Sequence, residues 1–143
     1  MPNSVYRVAG SLHLTRCSKL RTLPDRLVVD RNFNAKDCEA LEALPSAQFI
    51  VGGDLILDNC PQIKNLPDEN FSVSQVLSLR NCTELVAVPP GLHVARLDIT
   101  GCTSLIELPD DLFVDTDLDA CDCTDLERLP NGLRVLGSLD LSG

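Results

Sequence analysis

The sequence predicts a solenoid, a chain wound into repeated coils around one shared core, mostly β, with parallel strands along one side and little α-helix. Two observations predict it. Six cysteines, Cys17, Cys38, Cys60, Cys82, Cys102 and Cys123, recur in steps of 21, 22, 22, 20 and 21 residues. Six prolines, Pro24, Pro45, Pro67, Pro89, Pro109 and Pro130, keep step with them, each seven residues after a cysteine. Self-similarity at a fixed period of 20–50 residues marks stacked supersecondary units rather than a conventional globule.

Each part of the unit follows from its residues. Five and three residues before each cysteine lie apolar side chains, as in Leu55 and Leu57 or Leu77 and Leu79. That period-two spacing describes a short strand with one buried face. Three residues after each cysteine stands Leu20, Leu41, Ile63, Leu85, Leu105 or Leu126, and Leu or Val precedes every in-phase proline. The proline forbids a helix through the return path, which predicts 3₁₀ turns or extended pieces there. A valine recurs before each strand, from Val8 to Val135. One copy buries about six apolar side chains, worth about 1.5–3 kcal/mol each. Ordering its backbone costs about 1–2 kcal/mol for each of roughly 21 residues. A single coil therefore does not hold itself together, and stacking is required.

The unit, roughly L-x-L-x-x-C-x-x-L-x-x-L-P-x-x-L-x-V, resembles the leucine-rich repeat family. The resemblance spans about Val8 to Leu141 and is specific for fold rather than ligand. It implies a horseshoe solenoid with a parallel sheet on the concave face, and protein–protein binding through that face. The L-P step resembles short bacterial-type repeats, including those of effectors delivered into host cells, where repeats select the substrate of a separate ubiquitin-ligase domain. Cys123-Thr124-Asp125 matches the ligase Cys-x-Asp by letters alone. It lies at the phase of the repeat cysteines, so only a substrate-recognition role carries over.

Length fits one domain, residues 1–143, with six to seven coils. The pattern begins and stops in mid-repeat, which suggests a piece of a longer array, or ends covered by another chain such as a second copy. Net charge is −9 and seven residues are cysteine. The acidity argues against nucleic-acid binding, which needs a basic footprint. No stretch is long and apolar enough to span a bilayer, and the first residues lack a secretory h-region. An odd cysteine count without a secretory cue points to reduced thiols in the cytoplasm, or in a host cytosol if the chain is an effector. Charge is lopsided: residues 1–36 carry seven basic and two acidic groups, the remainder five basic and nineteen acidic.

The alternate positions of each strand point away from the core. Four residues before the cysteine phase come Asp98, Asp119 and Asp140, an acidic column with no base interleaved. Like charges on adjacent strands destabilise a sheet, and a basic protein partner would relieve them. Two residues before the cysteine phase, Lys36, Asp58 and Arg80 alternate in sign and are expected to satisfy one another. Arg96 is expected to face Asp117. Tyr6 falls outside the regular strands.

The six in-phase cysteines are expected to form a structural ladder of small inward side chains. Zinc requires four converging ligands, which a single-file column does not offer, and calcium requires six to eight wrapped oxygens. No cofactor or metal is expected. His13 and His93 lie at different phases, and no nucleophile–base set is visible, so catalysis is not expected either. Cys121 alone departs from the pattern, a thiol on the open face beside Asp119 and Asp122, which should disfavour its thiolate.

Overall fold

The computed structural model describes residues 4–143 and shows a parallel β-solenoid. The segments five to four residues before each cysteine phase are strands, starting one residue earlier in two coils. These are β2 (Leu12–His13), β4 (Phe33–Asn34), β6 (Leu55–Ile56), β8 (Val76–Ser78), β10 (Arg96–Asp98), β12 (Leu118–Asp119) and β14 (Leu139–Asp140). They form one seven-stranded parallel sheet, each strand beside its equivalent in the next coil. Register follows the repeat: Leu55 lies opposite Leu77, Leu77 opposite Leu97, and Leu97 opposite Leu118. A one-residue slip would turn every leucine outward.

The recurring valines build a second layer. β1 (Tyr6–Val8), β3 (Arg26–Val29), β5 (Gln48–Val51) and β7 (Phe71–Val73) pair in a four-stranded parallel sheet. β9 (His93–Val94), β11 (Phe113–Val114) and β13 (Arg134–Val135) pair in a separate three-stranded one. Of the two expectations for the return path the structure has the extended one, joined by turns, and no helix among the described residues. No helix is therefore long and apolar enough to cross a membrane. Tyr6, expected outside the regular strands, lies within β1, because its coil shares the extended valine segment of the others.

The core fills the space between the layers. Leu55, Leu57, Leu77, Leu79, Leu97 and Ile99 are fully buried from one side, Val29, Val51 and Val114 from the other. Phe33 packs edge-on against Phe49 with ring centroids 5.6 Å apart, and Phe49 meets Phe71 at 5.7 Å. Repetition of similar side chains lets every coil present the same contour to the next, so packing propagates along the axis.

Candidate functional site

The cysteine column is built from the turn that ends each long-sheet strand. Cys38, Cys60, Cys82 and Cys102 are fully buried, while Cys17 and Cys123 are partly covered. Each thiol after the first donates to a carbonyl three residues before the preceding coil's cysteine. Cys38 Sγ reaches Leu14 O at 3.0 Å, Cys60 reaches Ala35 O at 3.2 Å, and Cys82 reaches Leu57 O at 3.2 Å. Cys102 and Cys123 repeat the bond to Leu79 O and Ile99 O, at 3.0 and 3.1 Å. The thiols thus tie successive coils while filling little space. Burial pushes Cys60 up to about 11 and Cys102 up to about 12, and raises Cys38, Cys82 and Cys123. A thiol that stays protonated is a poor nucleophile and a poor metal ligand.

Sequence reasoning missed the residue just before each cysteine. Arg16, Asp37, Asn59, Asn81, Gly101 and Asp122 all have positive φ, between 56° and 75°. Asx and Gly tolerate this left-handed region best, and their enrichment at one phase was the available signal. Asn59 Nδ2 donates to Asp37 Oδ1 at 2.7 Å, and Asn81 Nδ2 to Asn59 Oδ1 at 3.0 Å, so these side chains form a second ladder beside the thiols.

The outward face of the long sheet carries all the residues singled out for partner binding. Asp98 lies opposite Asp119, and Asp119 opposite Asp140, so the acidic column exists in register. Its charges are not left to one another. Arg80 Nε lies 3.8 Å from Asp98 Oδ2, and Arg96 Nη2 lies 2.6 Å from Asp119 Oδ2. Both arginines reach in from neighbouring columns, a diagonal geometry open to long side chains. The expected Arg96–Asp117 pairing is therefore corrected: Asp119 holds Arg96, and Asp117 Oδ1 accepts the Ser138 amide at 2.8 Å. The expected self-neutralising Lys36–Asp58–Arg80 column is corrected too. Asp58 Oδ1 accepts the Ser78 hydroxyl at 2.6 Å and the Arg80 amide at 3.0 Å, while the Arg80 guanidinium turns to Asp98. Asp58 is thus met in the next coil by the backbone amide of Arg80 rather than by its guanidinium.

At the end of the column, Asp140 accepts the Ser142 hydroxyl and the Ser142 amide. Those bonds, and a third from the Cys121 thiol, hold its carboxyl below the usual range. Desolvation first, then the hydrogen bond to Asp140, raises the Cys121 thiol.

A second exposed feature was not anticipated. His93, Phe113 and Arg134 each lie one residue before a column valine and stand in register on β9, β11 and β13. The imidazole stacks on the phenyl ring with centroids 4.4 Å apart, and the Arg134 guanidinium lies 5.0 Å from the other ring face. His93 Nε2 also meets Asp115 Oδ1 at 2.7 Å. His13 sits apart from this, on β2 of the long sheet. A groove of about 480 Å³ runs along the proline edge instead, between Pro90, Pro109 and Pro130, with the Glu107–Arg128 pair at 3.1 Å on its rim.

In comparisons with known proteins, no family model matches the chain, and no curated protein or solved structure matches it.

Proposed function

We propose that the chain is a non-catalytic protein-recognition module of leucine-rich-repeat type, acting within a larger protein, that binds a basic segment of a partner along the outward face of its seven-stranded sheet. The observation that carries this reading is the in-register run Asp98, Asp119 and Asp140 on adjacent strands. Arg80 and Arg96 balance two of those charges, and Asp98 is mostly covered, its oxygens taking the Thr100 amide and Arg80; Asp119 stays partly open, Asp140 is exposed, and the chain as a whole is at −9. Aromatic anchors, the usual hot spots, are scarce: aromatics make up 3% of the chain, and Phe33 and Phe49 are buried in the core. Recognition is then chiefly electrostatic, with a fast on-rate and strong salt dependence. Substrate selection for an effector is one form this role takes.

A set of lysine- and arginine-rich peptides, measured by titration calorimetry at two salt concentrations, tests the reading. The expected result is binding that weakens with salt and falls at least tenfold when Asp98, Asp119 and Asp140 are changed together to Asn. Equal affinity of the triple variant and the parent would end it.

A second reading is end-to-end stacking of copies. An apolar groove beside Leu12, Leu14, Leu20 and Leu23 lies at the basic first coil, and Leu136, Leu139 and Leu141 are exposed at the last one, just past the acidic stretch 107–127. Light scattering over a concentration series distinguishes it, since stacking requires a mass that rises with concentration and falls with salt.

A further inference from the structure

The second layer is divided. The four-stranded sheet ends at β7 and the three-stranded sheet begins at β9, while the long sheet runs through both. One residue explains the division. Three residues separate the column valine from the strand position in Val51–Leu55, Val73–Leu77 and Val114–Leu118, but only Ala95 and Arg96 separate Val94 from Leu97. The long sheet keeps its register here, with Leu97 opposite Leu77 and Asp98 opposite Ser78. The shortened corner therefore pulls β9 out of register with β7. Elsewhere the amide after the valine bonds the previous coil's valine carbonyl: Gly52 to Val29 at 2.9 Å, Ser74 to Val51 at 3.1 Å, Asp115 to Val94 at 3.1 Å. Ala95 instead reaches Gln75 O at 3.0 Å, and Arg96 shares that acceptor at 3.4 Å.

Other ladders stop at the same place. The side-chain ladder Ser11, Asn32 and Asp54, each accepting the next coil's amide, ends at Val76, which has no acceptor. The rings Phe33, Phe49 and Phe71 run up to the division on the inside, and His93, Phe113 and Arg134 run away from it on the outside. Pro89-Pro90 and Gly91, with φ of +75°, lead into β9. What still joins the two sides is the β8–β10 pairing, the Asn81 amide bond to Thr100 O, the Ala95 and Arg96 amides on Gln75 O, the Cys102 bond to Leu79 O, the Arg80–Asp98 contact and shared core.

We propose that the solenoid consists of two cooperative units, coils one to four and coils five to seven, that part at a seam between β7 and β9. In a stacked array, stability is the sum of coil and neighbour-interface contributions, and the weakest interface decides where the array divides. Residues 91–143 carry eleven acidic and three basic groups, so the second unit also repels itself and opens first. The seam stands independently of the recognition reading, though a ligand lying across Arg80 and Asp98 would couple the two units.

Native-state hydrogen exchange of the 143-residue chain in increasing sub-denaturing urea tests this. The Leu97, Ile99, Leu118 and Ala120 amides should merge on one opening isotherm. The Phe33, Ala35, Phe49 and Leu57 amides should merge on another, exchanging at least tenfold more slowly. A glutamine inserted between Ala95 and Arg96 restores the longer corner and should draw the two isotherms together. One common isotherm in the parent chain overturns the proposal. A folded insertion variant that keeps two isotherms overturns the shortened corner as their cause. If the insertion prevents folding, the parent chain's isotherms decide alone.

Discussion

Gly101 occupies the phase that Asn59 and Asn81 hold in earlier coils, and its backbone shares their left-handed φ, at +75°. A Cβ there would collide with the Asn81 side-chain oxygen. Backbone and contact act together, so Gly101→Ala combines roughly 1–2 kcal/mol of left-handed strain with about 1–3 kcal/mol of overpacking. Urea unfolding should show a loss of about 2–5 kcal/mol. Adding Asn81→Gly should return the contact part and leave the backbone part. Full recovery would mean that the φ preference contributes nothing. The left-handed position illustrates what the letters conceal: Arg, Asp, Asn, Asn, Gly and Asp at one phase look unlike until the dihedral that Asx and Gly tolerate is recognised.

At the scale of the element, the cysteine column behaves as one structure, because each thiol bonds the coil before it. Its protons are linked to folding. Cys60, with an ordinary value of 9.0, is raised to about 11 in the folded chain, and Cys102 to about 12, in both cases chiefly by desolvation. Between 9 and those values the folded state holds protons that the unfolded chain has released, so stability falls as pH rises. The contribution is complete below about pH 9 and is lost progressively toward about pH 11–12. Urea midpoints measured across this range should drop more steeply for the parent chain than for Cys60→Ala. Parallel slopes would show that other groups govern the alkaline limit. The column itself was legible from spacing alone. The face pairings were not, because Arg96 had a choice between Asp117 and Asp119 that depends on side-chain reach, and Asp58 found the Ser78 hydroxyl and the Arg80 amide close at hand.

For the whole molecule, two periods in the letters carried the architecture. Period two placed the leucines inward, and period twenty-one stacked them. The divided second layer was visible only as the 20-residue step between Cys82 and Cys102. Its consequence depends on which corner loses the residue, and a spacing does not disclose that. The His93–Phe113–Arg134 stack was hidden for a similar reason: three unlike residues share a phase relative to valine, not to cysteine. The central claim is that the coils stack about one continuous core, and the chain reports on this through its own thiols. Pulsed alkylation under native conditions, with each cysteine followed by mass spectrometry, should label Cys17, Cys121 and Cys123, which are partly exposed, while Cys38, Cys60, Cys82 and Cys102, fully buried, remain unmodified until the chain is unfolded. Labelling of the four buried thiols at the rate of Cys17, in the folded chain, would contradict the stacked solenoid.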